Sequence, residues 1–164
     1  MTYEVTTLED VLNQLKVPEL VIDAEGAVLG RLASYVAKLA LMGVKVHVVN
    51  VEKAVITGDK KRVIDSYKLL LEVKTHKNPY RHAPHRPRNP INIFKKAVKG
   101  MLPKENWLGK LALKRVKAYV GFPEELKNKP VIKIVDTLAE HLKRREYITV
   151  DVVARELGWK GVGL

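Results

Sequence analysis

The sequence predicts an α/β fold built on a small, mostly parallel sheet. Short apolar runs typical of strands alternate along the chain with segments of helical periodicity. The first three elements predicted after residue 19 follow the order strand, helix, strand, which favours a right-handed crossover and a parallel pair of strands. Residues 45–51 are almost continuously apolar, as in a strand that is covered on both faces.

The N-terminal half contains most of the predicted core. Residues 1–19 are expected to form an additional helix, which Thr7 caps and Pro18 ends. Gly43 stands where a left-handed cap would end the first core helix, and Asp59 precedes the second as its N-cap. The elements predicted after residue 19 are strand 20–23, helix 29–42, strand 45–51, strand 54–57 and helix 60–73.

Prolines change the character of the chain over residues 75–90. Pro79, Pro84, Pro87 and Pro90 exclude a regular helix or a central strand, and arginine and histidine fill many of the positions between them. Because apolar residues are almost absent, this segment cannot bury itself. It is expected to be an extended basic arm that a partner holds in place.

The alternating pattern resumes beyond the arm. In two helices, the spacing of apolar residues predicts that one face packs on the body of the protein while lysines project from the other. The residues expected to point inward there are Ile93, Phe94, Val98, Leu108 and Leu111. The elements predicted after the arm are helix 91–100, helix 106–115, strand 117–122, strand 131–135, a basic helix 137–145 and helix 151–158.

The composition is that of a soluble globular protein of one domain. The chain has 164 residues, of which 46% are apolar and 29% charged, so it can bury a core without crosslinks. The lack of cysteine excludes disulfides, cysteine-based zinc sites and thiol catalysis. The acidic N-terminus is unlike a signal peptide, and Arg31, Lys38 and Lys45 interrupt the longest apolar region. We therefore expect a soluble, intracellular protein with no membrane partner.

Positive charge is concentrated in residues 74–117. This stretch holds thirteen basic residues and one acid, Glu105, so its net charge of +12 equals that of the whole chain. An ordinary solvated surface would intersperse acids among the bases. Arginine beside proline in an extended segment suits contacts between phosphates, and lysine on helices adds positive charge, so the stretch predicts RNA binding. Its basic residues are Lys74, Lys77, Arg81, Arg86, Arg88, Lys95, Lys96, Lys99, Lys104, Lys110, Lys114, Arg115 and Lys117.

Three histidines lie within ten residues of one another, a spacing that raises the question of a metal site. They are His76, His82 and His85. No carboxylate or cysteine accompanies them, and the surrounding lysines and arginines would repel a divalent cation. Imidazoles that stack on bases or bond to phosphates fit this setting better. We expect His82 and His85 to contact RNA, and we expect no metal and no cofactor.

Two glycine-containing turns do not meet the requirements of nucleotide-binding motifs. Gly26 and Gly30 have the wrong number and spacing for a dinucleotide fingerprint, which leaves a turn glycine and close helix packing. Residues 57–61 lack the upstream glycine and the hydroxyl residue of a phosphate-binding loop. No catalytic motif is present, so the sequence predicts neither an enzyme nor a small-molecule substrate. Arg31, near a helix start, is a candidate phosphate contact.

The segment 147–159 resembles the first helix and turn of a helix-turn-helix. That motif requires a recognition helix next, and only residues 160–164 follow, so a packing helix is the favoured interpretation. DNA binding through this segment is the alternative function. A nucleotide-dependent enzyme that uses the first strand-to-helix turn is a third hypothesis.

The block Gly100-Met-Leu-Pro-Lys104 is highly specific. Together with other segments between about residues 20 and 122, it resembles the universal large-subunit ribosomal protein thirteen family. The motif His82-Ala-Pro-His85-Arg-Pro-Arg88 and the ending Arg155-Glu-Leu-Gly-Trp159 resemble the archaeal and eukaryotic branch. The matching segments are 21–34, 48–53, 56–58, 96–104 and 113–121.

The resemblance implies a three-layer α/β/α fold with a four-stranded parallel sheet. It also implies a structural role that consists of binding large-subunit ribosomal RNA early in assembly, beside neighbouring large-subunit proteins. The positions that carry over as expected RNA contacts are Arg31, Lys53, Lys96, Lys99 and Lys104. The expected organisation is an N-terminal helical extension 1–19, an RNA-binding domain 20–122 that includes the basic insert 74–117, and a C-terminal helical extension 123–164 packed on the same domain.

Overall fold

The computed structural model describes residues 2–5, 18–82, 84–141 and 146–161, which form an α/β fold. Strands and helices alternate along much of this chain, as the sequence predicts. The strands are β1 (Thr2–Val5), β2 (Glu19–Asp23), β3 (Lys45–Val49), β4 (Val55–Thr57), β5 (Val116–Ala118), β6 (Val131–Ile134) and β7 (Tyr147–Thr149). The α-helices are α1 (Leu29–Leu41), α2 (Lys60–Glu72), α3 (Pro90–Met101), α4 (Trp107–Arg115) and α5 (Val150–Glu156).

The main sheet is parallel throughout and has the strand order β1-β6-β2-β3-β5. Strands β2, β3, β5 and β6 make up the expected four-stranded sheet, and with helices around it the predicted three-layer class is confirmed. Strand β1 adds a fifth strand at the edge, beside β6. It was not predicted, because four residues carry too little periodicity to identify a strand. The helix predicted over residues 1–19 is wrong at residues 2–5, which form this strand instead. Thr7, the predicted cap, lies outside the described residues.

The two faces of this sheet are covered differently. Successive side chains of a strand point to opposite faces, so Ile22 and Val48 pack in the large cluster with the α-helices while Val21 and Val49 pack in a smaller one. The smaller cluster also contains Leu126, which lies in the short 3₁₀ helix Glu124–Leu126. The α-helices therefore cover one face of the sheet, and the other face has only a thin cover that includes this 3₁₀ helix.

Helix α3 is held against the body by a fully buried aromatic side chain. Phe94 has no exposed surface, and Ile93 and Val98 are almost completely buried beside it. The three residues share one face because they recur at helical spacing. The side chain of Asn89 accepts a hydrogen bond from the amide of Ile91 (2.9 Å) and so caps the helix.

One predicted strand belongs to a different sheet. Residues 54–57 were expected to be a strand, and β4 does form there, but it pairs antiparallel with β7. Asp59 caps the helix that follows, as predicted, because its carboxylate accepts a hydrogen bond from the amide of Arg62 (3.1 Å). The segment around β7 thus closes a small sheet beside the main one.

Two other predicted elements are wrong in extent or in type. The strand predicted over 117–122 is only the three-residue β5, because the chain turns away at Gly121, whose φ is +68°. The described part of the helix predicted over 137–145 forms short 3₁₀ helices at Val135–Thr137 and Ala139–His141. Residues 142–145 lie outside the described part of the chain.

A histidine is buried on the thinly covered face of the sheet. His47 on β3 is 8% exposed, and its ring stacks on Tyr119 with 5.9 Å between the ring centroids. Its Nδ1 lies 3.2 Å from the Tyr119 hydroxyl. Burial disfavours the imidazolium and lowers the pKa of His47, although the nearby carboxylate of Glu19 acts in the opposite direction.

We expect acid to destabilise the protein through His47. Its pKa is lower in the folded chain than in the unfolded chain, so the unfolded state binds more protons as the pH falls below about 6.5. The stability that neutral His47 contributes is fully present above that pH and is lost as the pH falls through the folded pKa. Urea unfolding at neutral and mildly acidic pH should show that acid lowers the free energy of unfolding more for the wild type than for His47→Phe. Equal decreases would show that His47 does not contribute to the acid sensitivity.

Candidate nucleic-acid interface

The strongest candidate site is a groove between α3 and α4. Five lysines line it, and we call it the five-lysine groove; they are Lys95, Lys99, Lys104, Lys110 and Lys114. Its other lining residues are Leu102, Pro103, Gly109 and Leu113, and its volume is about 570 Å³. No acid is among the residues that line it. The sequence predicted these lysines as RNA contacts, and the structure brings all five together.

Helical geometry explains why the lysines converge. Lys95 and Lys99 are four residues apart on α3, and Lys110 and Lys114 are four residues apart on α4, so each pair stands on one face of its helix. Lys104 comes from the loop that joins the two helices. The apolar residues of α3 bury the opposite face, which leaves the lysines to solvent.

The groove is electrostatically unbalanced. Like charges at this spacing on a helix repel one another. Across the described residues, none of the five lysines forms an ion pair or a side-chain hydrogen bond. A polyanion that enters the groove would relieve this repulsion and release its own counterions. The arrangement can therefore bind phosphates.

A close backbone contact shapes one wall of the groove. Gly109 is buried in α4, and a Cβ atom placed on it would overlap the carbonyl oxygen of Pro103 and lie 3.0 Å from its carbonyl carbon. Glycine is therefore required for the loop 102–106 to lie against α4. Gly109 was not predicted as a structural residue. An isolated glycine inside a helical pattern is the sequence feature that could have indicated this close contact.

The apolar face predicted for α4 is only partly correct. Leu108 is 44% exposed, although it was expected to be buried on the body. Leu111 is half-buried and Ala112 is fully buried. Because α4 is short and packs through Gly109 and Ala112, its close approach to the body leaves the flanking Leu108 in solvent.

The basic arm was predicted over residues 75–90, and its described residues up to Asn89 have no helix or strand, in agreement with the sequence prediction. Its last residue, Pro90, begins α3. A turn gives part of the arm local order, because the Asn78 side chain accepts hydrogen bonds from the amides of Tyr80 (3.1 Å) and Arg81 (3.0 Å). The predicted RNA contacts that are exposed in this arm and at the residue before it are Lys74, Lys77, Arg81, His82, His85 and Arg88.

One arginine of the arm turns back toward the body. Arg86 lines a cavity of about 230 Å³ together with Tyr67, Ile93 and Lys96. Its Nε is buried and has no hydrogen-bond partner among the described residues. A buried guanidinium N–H without an acceptor is costly. The residue as a whole is half-buried, so Arg86 stays a candidate RNA contact together with the exposed Lys96.

Three predicted contacts are engaged within the protein. Arg115 donates a hydrogen bond to the carbonyl oxygen of Ala40 (3.1 Å) at the end of α1, which gives it a structural role. Lys53 pairs with Glu25 (2.9 Å), whose hydrogen bond raises the pKa of the lysine. Arg31 donates weakly to the Asp136 carbonyl oxygen (3.3 Å). Lys117 is exposed on β5, in register with His47.

The motifs that the sequence analysis set aside have structural explanations. Gly26 has a φ of +70°, as expected of a turn glycine. The close packing expected at Gly30 is wrong, because a Cβ there would have no neighbour within 4 Å. In the segment proposed for DNA binding, Val153 and Ala154 of α5 are fully buried. No second helix follows α5 in the described chain up to residue 161.

Within the described residues, no three side chains of the metal-ligating types come together as a group that could hold an ion. None of the helices described is both long enough and apolar enough to cross a membrane.

The chain was compared with protein families and with curated proteins. The family described as Ribosomal protein L13 matches residues 18–125. A protein of Saccharolobus solfataricus named large ribosomal subunit protein uL13 is 53% identical over 149 residues, which cover 91% of this chain and 99% of the relative.

Two further relatives have the same name. The protein of Sulfolobus acidocaldarius is 50% identical over 85% of this chain and 93% of its own length. The protein of Aeropyrum pernix is 47% identical over 87% of this chain and 92% of its own length. These similarities extend well beyond the five-lysine groove, across most of the fold.

Proposed function

The chain belongs to the ribosomal protein L13 family, and we propose that it is a structural constituent of the large ribosomal subunit that binds ribosomal RNA. The predicted resemblance, including its archaeal-type character, is confirmed by the family match and by the identity to archaeal relatives. Their name places those proteins in the large subunit, and we assign this chain to the same cytoplasmic particle. The role is structural and not enzymatic.

The five-lysine groove is the observation that supports RNA binding most directly. It gathers five cations without a lining acid, in a protein whose formal charge is +12. Phosphate contacts supply most of the affinity of proteins for nucleic acids. We propose that the groove holds one stretch of RNA backbone, while the exposed cations and histidines of residues 74–89 follow the neighbouring backbone.

The remaining contacts are proposed at positions that the structure leaves accessible in part. Arg31, Lys53, Lys96 and Lys117 would each need to turn toward RNA, and the first two would exchange an internal oxygen for a phosphate. Arg115 would contribute mainly by holding α4 against α1.

We also propose a division of the chain into one RNA-binding domain and two additions. Residues 20–122, with the basic insert 74–117, would form the RNA-binding domain, and residues 1–19 and 123–164 would be additions to it. Strand β6 of the second addition lies inside the main sheet, so that segment completes the domain. An early place in subunit assembly and contacts with adjacent large-subunit proteins are part of this proposal.

We expect binding to large-subunit ribosomal RNA to depend steeply on salt. If about six phosphates are neutralised, affinity should fall about a thousandfold between 50 and 200 mM monovalent salt. Filter binding or fluorescence anisotropy with an in-vitro transcript would measure the slope. A shallow slope would show that the basic surface does not carry the binding and would contradict the proposal. An equally long DNA duplex serves as the control for non-specific attraction to phosphates.

A further inference from the structure

An exposed tryptophan lies at the rim of the five-lysine groove. Trp107 is the first residue of α4, and 73% of its surface is exposed. Because each helical residue advances by about 100°, Trp107 projects about 20° from Lys114 and about 60° from Lys110 around the axis. The indole therefore stands on the same side of α4 as the two lysines that this helix contributes to the groove.

Its exposure is unusual for this residue type. A tryptophan side chain offers a large apolar surface, and an intermolecular contact is the usual way to remove it from water. Nothing among the described residues covers it. The neighbouring cations define the chemistry of the partner, since a phosphate chain that follows Lys110 and Lys114 brings bases to the same rim.

We propose that Trp107 stacks on an unpaired base of the bound RNA while Lys110 and Lys114 contact the phosphates beside that base. This inference rests on the proposed function and adds to it the kind of RNA that is bound. A base inside a regular duplex is already stacked on its neighbours and cannot offer its face, whereas a base in a loop or a bulge can. The groove would thus select a site where the RNA helix is interrupted.

The chain offers a direct spectroscopic test of this contact. It has two tryptophans, and the second, Trp159, packs against the core and is partly buried. Trp159→Phe leaves Trp107 as the reporter. Titration with a transcript of large-subunit ribosomal RNA should quench its emission to saturation at the stoichiometry of binding.

Affinity provides the second readout. Trp107→Ala should weaken binding of the transcript by about 5- to 150-fold, since base stacking on an aromatic side chain contributes on this scale. Trp107→Phe should retain part of the affinity. Leu108→Ala is the matched control, because Leu108 is also exposed on α4 but projects about 100° away from Trp107. Its binding should be unchanged.

The outcomes separate this inference from the proposed function. If Trp107→Ala binds the transcript as tightly as the wild type, with the steep salt dependence preserved, stacking is overturned and RNA binding stands. Trp107 would then be a contact for a neighbouring protein. Quenching without any loss of affinity would overturn stacking as well, since nearby phosphates alone would explain it. A wild-type chain that does not bind the transcript would overturn both.

Discussion

Replacing Lys95, Lys99, Lys110 and Lys114 with glutamine should lower RNA affinity on the order of a thousandfold at about 100 mM salt. Each lysine that contacts a phosphate adds about 0.9 to the slope of log affinity against log salt. The slope should therefore decrease by about 3.6 when all four are removed. Salt titrations of the variant and the wild type with the same transcript would measure both quantities.

The fold should survive this change. The four side chains line an open groove and make no ion pair among the described residues, so their loss removes repulsion rather than packing. Lys60, Lys61, Lys127 and Lys160 are exposed outside the groove and form a matched control with the same change in net charge. If both variants lost affinity equally, total charge rather than the groove would explain binding. Thermal unfolding should confirm that both are folded.

Gly109→Ala should cause the largest loss of stability of any single methyl addition in the interface. The new methyl would overlap the carbonyl oxygen of Pro103, which belongs to the backbone and cannot rotate away. Overpacking of this kind costs about 3 kcal/mol, which corresponds to a decrease in Tm of about 6–12 °C for a chain of this length. Calorimetry would measure it. RNA affinity should fall too, because the loop that carries Lys104 must move.

Gly100→Ala is the control that isolates the steric effect. Gly100 also lies in a helix, α3, but a Cβ placed there would meet nothing within 4 Å. Alanine favours the helix by about 1 kcal/mol relative to glycine, so this variant should be as stable as the wild type or more stable. If both substitutions destabilised the chain to the same degree, the contact between Gly109 and Pro103 would not be the cause.

The elements that the sequence predicted well are those with long periodic patterns. Helices α1, α2 and α3 were placed within one or two residues of their bounds, because apolar residues recur at helical spacing over many turns. Strand β3 was recognised from its continuous apolar character. In contrast, the three-residue strand β7 has no period to detect and was not predicted. The partners of the short strands also lie far away in sequence. The pairing of β4 with β7 joins residues about ninety positions apart.

The candidate site also has some features that the sequence predicts and others that depend on tertiary packing. Charge is a sum over residues, so the sequence alone was sufficient to locate the basic stretch at 74–117 and to exclude thiol chemistry. Which cations share a surface depends on how the two helices pack. That packing assembles five of them in one groove, ties Arg115 to the end of α1 and turns Arg86 inward.

The sequence by itself determined the fold class, the basic character of the interface and the family. Each of these follows from local patterns or from residue identities, which need no coordinates. Only the tertiary structure decided that Gly109 must be glycine, that Leu108 and Trp107 are exposed, and that β6 completes the main sheet. These features arise from contacts between segments distant along the chain, and contact distances are properties of the packed molecule.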